Sequence, residues 1–200
     1  AGRQKVVYET GRISYNGTLY DELFFDAQTM STMFAEPTFI LYGVTIGIGF
    51  HWERSQVQKF AGSLKFIVDD GKVVAVNVIG VEDYLLSVIS SEMKPTAPLE
   101  YLKAHAVISR TWVMKQIARR KDGGNAVQCP EDRVEDGVLH IERWFDTNDH
   151  KAFDVCADDH CQRYQGLTSA IGENARKAVD ETWGEVLEYN GSLCDARFSK

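Results

Sequence analysis

The sequence predicts an α+β protein, with a β-rich lobe over residues 1–75 and a helical core over residues 76–200 that ends in a hairpin. Three observations predict this class. Up to position 80 the chain carries runs of β-branched and aromatic side chains, and apolar residues between 81 and 89 repeat at helical spacing. An Asn-Gly pair then separates two short strand-like runs at 190–191.

The N-terminal β prediction depends on three stretches. Residues 39–50 are apolar and aromatic but are interrupted by three glycines, which is typical of broken strands rather than of a helix. Residues 64–68 and 73–79 are two β runs on either side of Asp70-Gly71. An Asp-Gly pair between two such runs predicts a tight hairpin, because both central residues of that turn need positive φ.

Two helices are predicted after the hairpin. Apolar residues at positions 81, 84, 85, 88 and 89 share one face of a helix over residues 81–91. Pro95 and Pro98 end this helix and start a second one, which runs to about Arg120 before a Gly-Gly pair.

The remaining third of the chain has less regular patterns. Residues 122–168 have no clear period, and a segment of this length is expected to need a staple or a function. A third helix is predicted from Ser169 to Glu181. The runs on either side of Asn190-Gly191 predict a type I′ hairpin at the C-terminal end of the core.

Charge and composition exclude several classes of protein. The 200 residues include 22 Lys and Arg against 29 Asp and Glu, which gives a net charge of −7. This acidic balance argues against a general nucleic-acid-binding protein and against a polybasic membrane-surface protein. Because no run of 18 apolar residues occurs, no membrane-spanning segment is predicted in this chain.

Glu92 is the first candidate for chemistry. It follows the apolar residues of the first predicted helix, and a carboxyl group held near an apolar wall can donate a proton near neutral pH. Lys103 and Arg110 are two turns apart, so they share one face of the second helix and can hold a polyanionic or hydroxyl-rich substrate. The alternatives are a solvated glutamate at a helix end and two solvated cations on an exposed face.

A cluster of cysteine and histidine predicts a metal site. His150, Cys156, His160 and Cys161 lie close together in the sequence, and zinc prefers thiolate and imidazole ligands in a tetrahedral set of four. The spacing differs from that of a standard zinc finger. A Cys156–Cys161 disulfide and two free thiols are the alternatives. With three protein ligands the site would keep a water and suit catalysis, whereas four ligands would staple the loop.

Five further residues are given weaker interpretations. Cys129 and Cys194 are free buried thiols or, in an oxidising compartment, a pair. His51 and Trp52 are interpreted as packing residues in a β segment, and His105 on the second helix is a weak site candidate.

Between residues 60 and 200, several ordered segments carry a family resemblance. They include VNVIGVEDYL at 76–85, VISSEM at 88–93, LKAHAVISRT at 102–111, and the segments 154–166, 178–187, 189–191 and 196–199. Together they resemble the stage II sporulation protein D (SpoIID) family. The resemblance implies a lytic transglycosylase that cleaves peptidoglycan glycan strands, prefers strands stripped of stem peptides, and leaves 1,6-anhydro ends.

The resemblance also implies roles for particular residues. Glu92 is the catalytic acid and then base, and Lys103 and Arg110 contact the substrate. Zinc is expected as a structural or site-organising ion, held by the following ligands: His150, Cys156 and Cys161, with His160 as a fourth ligand or a substitute. The implied partners are peptidoglycan glycan strands and other cell-wall enzymes. The implied location is the cell envelope, secreted or periplasmic.

Three other functions stay open at this point. An ordinary glycoside hydrolase would need a second carboxylate near Glu92, for which Glu82, Asp83 and Glu100 are close in sequence. A catalytically inactive, zinc-stabilised module would bind or scaffold peptidoglycan. A zinc hydrolase would use the Cys/His site. Because the family continues past residues 198–199 into a Ser/Gly-rich segment, the core is expected to be truncated at Lys200.

Overall fold

The structure is a computed structural model that describes residues 2–27, 37–94, 96–121, 133–140, 150–158, 160–168 and 171–198. Within these ranges it contains three helices and twelve short strands in several small sheets. The predicted α+β class is therefore confirmed.

The N-terminal part consists of three small antiparallel sheets. The first has the strand order β1-β2-β3, and the second has the order β4-β7-β8. The third is a hairpin of β5 and β6 with a bulge between Leu41 and Val44. The bounds of these strands are β1 Val7–Glu9, β2 Arg12–Tyr15, β3 Thr18–Tyr20, β4 Leu23–Phe25, β5 Phe39–Ile46, β6 Arg54–Phe60, β7 Ser63–Asp69 and β8 Lys72–Val78.

Both hairpins predicted from their turn residues are present. Asp70 and Gly71 have φ of 46° and 68°, and they connect β7 to β8 in register from Asp69–Lys72 to Ser63–Val78. Asn190 and Gly191 have φ of 49° and 73°. Residues able to adopt positive φ at both central positions allow the turn twist to match that of the strands. The bounds of the remaining strands are β9 Arg133–Glu135, β10 Val138–His140, β11 Glu188–Tyr189 and β12 Ser192–Leu193.

The three helices are α1 Val81–Glu92, α2 Leu99–Lys121 and α3 Glu173–Glu181. The first two confirm the predicted helices to within one residue at each end. The third begins later than predicted. Ser169 lies outside the described residues, and Gly172 has extended backbone and caps the helix. Glycine is unfavourable inside a helix and acceptable at its N-cap, which explains the later start.

The core lies where the three helices meet. It contains Leu85, Val88 and Ile89 of α1 together with residues of α2 and α3. Phe60 and Ala61, from the end of β6 and the turn after it, are buried in the same cluster. The core therefore includes residues from both sides of the predicted boundary at 75, and the division into two domains stays a prediction. None of the described helices is both long and apolar enough to cross a bilayer.

Candidate functional site

The C-terminal end of α1 carries Glu92. The helix stops there because Met93 adopts extended backbone while its N–H still bonds to the carbonyl of Ile89. The half-buried carboxylate of Glu92 accepts a hydrogen bond of 2.9 Å from the backbone N–H of Arg163. A segment much later in the chain therefore crosses the end of this helix and holds its last side chain.

That segment is residues 160–168, which we call the strap. It has no helix or strand of its own, and side chains of the core satisfy its polar groups. Gln162 is 1% exposed, accepts a 3.0 Å hydrogen bond from the hydroxyl of Tyr84, and donates one to the carbonyl of Ser109. The N–H of Gln165 donates to the hydroxyl of Ser87 at 3.1 Å. These bonds fix the strap on both sides of Arg163.

Aromatic packing and a short β-like contact fix the rest of the strap. The ring of Tyr164 stacks on that of Tyr84 at 5.1 Å, and its hydroxyl bonds to Asn77. Leu167 donates its N–H to the carbonyl of Lys59 at 2.7 Å. Because β6, β8 and α1 each hold part of the strap, the position of the N–H at Arg163 is set by tertiary structure.

The Cys/His cluster overlaps the start of the strap. Two of its four residues precede the strap, and the other two, His160 and Cys161, are the first residues of the strap. Cys161 Sγ is 3.4 Å from His150 Nε2 and 3.4 Å from His160 Nδ1. Cys156 Sγ is 3.9 Å from His160 Nδ1. One ligand atom from each of the four residues lies within 4.8 Å of the others, so the cluster can hold a metal ion.

The donor set and spacing fit zinc. Zn–S bonds of about 2.3 Å and Zn–N bonds of about 2.0 Å in a tetrahedron separate sulfur from nitrogen by roughly 3.5 Å. The sulfur–nitrogen distances of 3.4 to 3.9 Å given above match that edge. Cys156 and Cys161 are not joined in a disulfide. Cys194 is also unbridged, and Cys129 lies outside the described residues.

The two thiols of the cluster affect each other's protonation. The pKa of Cys156 is lowered to about 4, first by the hydrogen bond from Cys161 and further by His150 and His160, against burial, which raises it. The pKa of Cys161 is raised by its hydrogen bond to Cys156 and by burial. The pair therefore favours one thiolate, and a bound cation would favour loss of the second proton.

The buried hydroxyl of Tyr84 connects α1 to the strap beside this cluster. The pKa of Tyr84 is raised well above its ordinary value, first by burial and then by the charges of Cys161, Tyr164, Cys156 and Glu92. Tyr84 also bonds to Gln162, which stands in the chain between Cys161 of the cluster and Arg163, whose N–H holds Glu92. The metal-like site and the candidate acid belong to one neighbourhood.

The two cations predicted to contact substrate both hold carboxylates of this chain. Lys103 lies 2.8 Å from Glu100 and 2.6 Å from Glu181, and these partners raise the pKa of the lysine. The side chain of Arg110 is 2% exposed, and its guanidinium forms two hydrogen bonds, of 2.8 and 2.6 Å, with Glu82. A role in substrate binding stays a prediction for both.

The three carboxylates considered as partners of Glu92 lie elsewhere. Glu82 and Asp83 are in the first turn of α1, at the opposite end, which is about 14–15 Å away along the axis at roughly 1.5 Å per residue. Glu100 lies in the first turn of α2 and is paired with Lys103. The positions of Glu82 and Asp83 do not match the separation of about 5–9.5 Å between the carboxyl groups of glycoside hydrolases.

Sequence reasoning missed Arg163, and the β segment it predicted for His51 and Trp52 was wrong, although Trp52 packs as predicted, stacked on Phe50. His51 and Trp52 lie in the exposed turn between β5 and β6 and not in a strand, because the run of glycines ends β5 at Ile46. The guanidinium of Arg163 lies 5.6 Å from the centre of the Trp52 ring. No local pattern marks Arg163, because its role depends on contacts distant in sequence. His105 is 4% exposed and packs against Phe198.

Residues 69–189 match the model of the family described as Stage II sporulation protein, SpoIID. Over 141 residues the chain is 30% identical to an uncharacterized protein of Brachyspira hyodysenteriae, an alignment that covers 70% of this chain and 31% of that protein. The chain therefore spans less than one third of that relative's length. No solved structure matches the chain. The matched region contains α1, α2, α3, the Cys/His cluster and the strap.

Proposed function

We propose, from the premise that this chain belongs to the stage II sporulation protein (SpoIID) family, that it is a peptidoglycan lytic transglycosylase. It would cleave glycan strands, preferably those stripped of stem peptides, and leave 1,6-anhydro ends. The observation that carries the proposal is Glu92 at the end of α1, with its carboxylate held by the strap through the N–H of Arg163.

The chemistry needs one carboxyl group that works twice. Protonated Glu92 gives its proton to the glycosidic oxygen as the C1–O bond breaks and charge develops on the ring. The carboxylate that results then takes the proton of the sugar's own C6 hydroxyl, whose oxygen forms the new bond to C1. The products are a free hydroxyl on one strand and a 1,6-anhydro ring on the other. Glu92 ends protonated again, and no water is consumed.

The position of Glu82 and Asp83 at the far end of α1 supports this route over hydrolysis with either of them as the second carboxylate. A hydrolase would need a nucleophile or base within about 5–9.5 Å of the acid. Glu82 is bound to buried Arg110 at the far end of α1, and Glu100 is bound to Lys103. A single acid–base carboxyl with the substrate's hydroxyl as internal nucleophile fits this distribution better.

Lys103 is proposed as a contact for the glycan strand, and the predicted contact of Arg110 with the strand stays a prediction. Lys103 is the more accessible of the two, with a side chain 23% exposed, and its three donors suit sugar hydroxyls and N-acetyl oxygens. Arg110 would have to exchange a carboxylate for the substrate, so its present contacts favour a role in positioning α1 and α2.

Zinc is proposed as the ion of the Cys/His cluster. His150, Cys156, His160 and Cys161 would hold it, and four protein ligands leave no open position, which is typical of a structural rather than a catalytic site. When bound there, zinc would cross-link the four ligand residues. Residues 150–161 would thereby be fixed, and with them the start of the strap that presents its N–H to Glu92.

The proposed setting follows from the substrate. A protein that cleaves peptidoglycan acts in the cell envelope, so we assign this chain a secreted or periplasmic location. Other cell-wall enzymes, which supply strands without stem peptides, would be its functional partners.

The test is mass spectrometry of products from peptide-stripped glycan strands, with the full-length protein, its Glu92→Gln variant and a Glu9→Gln control. Glu9 is an exposed carboxylate on β1, outside the region matched by the family. We expect anhydro ends from the wild type and the control and a loss of about 10²–10⁴-fold in the Glu92 variant.

Other outcomes overturn the proposal in distinct ways. Reducing ends in place of anhydro ends would indicate a hydrolase. Glycan binding by a folded wild type without any product would indicate a zinc-stabilised binding or scaffolding module. Cleavage that gives reducing ends, survives Glu92→Gln and disappears when metal is removed from a protein that stays folded would indicate a zinc hydrolase.

A further inference from the structure

The turn between β5 and β6 exposes aromatic side chains that the proposed chemistry does not yet use. We call residues 47–52 the hairpin tip. The rings of Phe50 and Trp52 stack at 5.5 Å with an angle of 17° between their planes. Phe50 is 52% exposed and Ile48 64% exposed, while Trp52 is half-buried. An apolar face of this kind at a turn is costly in water and calls for an explanation.

The hairpin tip holds its rings in one arrangement. Gly47 has φ of +66°, and a Cβ atom there would fall 2.3 Å from the ring of Trp52, so only glycine lets the indole lie against the turn. The N–H of Phe50 donates to the carbonyl of Gly47, and the N–H of Glu53 donates to the carbonyl of Phe50, both at 3.0 Å. The side chain of Glu53 also accepts from the N–H of Gly49 at 2.8 Å. A surface built in this way loses little conformational entropy on binding.

Arg163 connects the hairpin tip to the candidate acid. Its backbone N–H bonds to Glu92, and its guanidinium lies 5.6 Å from the ring centre of Trp52. One arginine therefore separates the aromatic pair from the carboxylate. The aromatic surface lies beside the site rather than on an unrelated face.

We propose that the hairpin tip is a sugar-binding subsite beside Glu92, which takes one pyranose ring of the glycan strand. The C–H face of a pyranose ring is apolar and its edge carries hydroxyl and acyl oxygens. The exposed ring of Phe50, with Trp52 stacked behind it, matches the face, and the guanidinium of Arg163 matches the oxygens of the edge. This inference rests on the proposed function, because the occupant is the same strand that Glu92 would cleave.

The size of the hairpin tip favours a sugar over a protein partner. Two aromatic side chains bury roughly 150–250 Å² each, well short of the area of about 800 Å² that a partner contributes to a standard protein interface. A pyranose ring needs only one aromatic surface and a few convergent polar groups, which are present here.

The experiment measures binding in the absence of turnover. In a Glu92→Gln background, the dissociation constant for peptide-stripped glycan strands is determined for Phe50→Ala, Phe50→Leu and Phe50→Tyr. We expect Phe50→Ala and Phe50→Leu to weaken binding by about 3–10-fold, because both lose the ring, and Phe50→Tyr to bind like phenylalanine. Tyr189→Ala removes an aromatic side chain that is 75% exposed on another hairpin, and it should leave binding unchanged.

With Glu92 intact, Phe50→Ala should raise KM by a similar factor and change kcat less than about twofold. Thermal unfolding confirms that each variant is folded. Equal binding by Phe50→Leu and the parent would overturn ring stacking, and an unchanged Kd in Phe50→Ala would overturn the subsite. Neither result depends on cleavage, so a failure of the transglycosylase proposal would be seen separately, as absent anhydro products with binding still sensitive to Phe50.

Discussion

The two ends of α1 each carry a glutamate, and the two residues are held in different ways. Glu82 lies in the first turn, where its side chain is 14% exposed and both oxygens bond to the buried guanidinium of Arg110. Glu92 lies in the last turn, half-buried, and accepts a hydrogen bond from the peptide N–H of Arg163. Glu82 joins α1 to α2 through Arg110, whereas Glu92 lies at an edge of the core.

The helix itself contributes to the difference. The N-terminal end of a helix stabilises a negative charge and the C-terminal end destabilises it. Glu82 therefore combines the favourable end with a buried cation. Glu92 is at the unfavourable end, and its bond from the strap comes from a neutral peptide N–H. The surroundings, and not the residue type, separate a structural glutamate from a candidate catalytic one.

The largest effect expected from this comparison is on stability. Glu82→Gln leaves the guanidinium of Arg110 buried without its counter-charge, and breaking a buried pair in this way costs about 3–5 kcal/mol in the free energy of unfolding. Glu92→Gln keeps a side-chain oxygen for the N–H of Arg163, so its cost should stay below about 1.5 kcal/mol, the net contribution of one hydrogen bond. Urea unfolding of both variants measures the contrast.

Arg110→Lys gives the matched control for the same ion pair. Lysine keeps the charge but loses the two-pronged contact with Glu82, so we expect reduced stability with little change in KM once the protein is folded. A raised KM at unchanged stability would instead support the predicted contact between Arg110 and the glycan strand.

Removal of the metal should destabilise the end of α1 that carries Glu92 and contacts the strap. It should leave the other end, where Glu82 pairs with Arg110, unchanged. If zinc at about 100 times its Kd holds the cluster, its loss costs about 2.7 kcal/mol. We expect elemental analysis to find one equivalent of zinc and a chelator to lower the Tm. In Cys161→Ser we expect no bound zinc and no change of Tm with the chelator. Cys194→Ser, outside the cluster, is the control. A protein that purifies without zinc and ignores the chelator would contradict the site.

A glycine in the strap offers a test of the contact between the strap and β6. Gly166 has φ of +56°, and a Cβ there would fall 2.4 Å from the carbonyl of Lys59. Gly166→Ala should cost about 1–2 kcal/mol from the left-handed backbone alone, plus the clash. Gly17→Ala has the same backbone strain with open space around it. We expect only Gly166→Ala to lower cleavage, because it shifts the strap; equal effects would mean that the strap does not position Glu92.

The fold could be predicted where the information is local. The helix period, the two prolines and the Asp-Gly and Asn-Gly pairs act over a few residues, and α1, α2 and both hairpins follow them. The start of α3 was placed too early because propensity around Gly172 is weak evidence against an otherwise helical pattern. The strap could not be predicted, because it has no period and depends on contacts with Tyr84, Ser109 and Lys59.

The same distinction applies to the site. The four cysteine and histidine residues lie close in sequence, so their convergence could be expected from spacing. The burial of Arg110 could not, since its partner Glu82 is on the preceding helix and the pairing depends on how α1 packs on α2. Trp52 and Arg163 are far apart in the chain, and nothing in either local sequence indicates their contact.

The smallest effect concerns Lys103, which joins α2 to α3 on the surface. Lys103 lowers the pKa of Glu181, so that contribution is present above the ordinary glutamate pKa of about 4.3 and is lost as pH falls through the lowered value. Glu100 and then Glu181 raise the pKa of Lys103, so its contribution is present below about 10.4 and is lost as pH rises through the raised value.

The stability difference between wild type and Lys103→Met should therefore be small and flat from about pH 5 to 10, disappear at both extremes, and shrink in salt. Urea midpoints across pH measure it, with Lys177→Met as the control because Lys177 lies 3.6 Å from the same Glu181 within α3. A raised KM in Lys103→Met at full stability would give this lysine the predicted contact with substrate. An unchanged KM would make Lys103 a cation that joins helices, the role that the contacts of Arg110 also favour. Glu92 and the strap would then be the groups that meet the glycan strand at the end of α1.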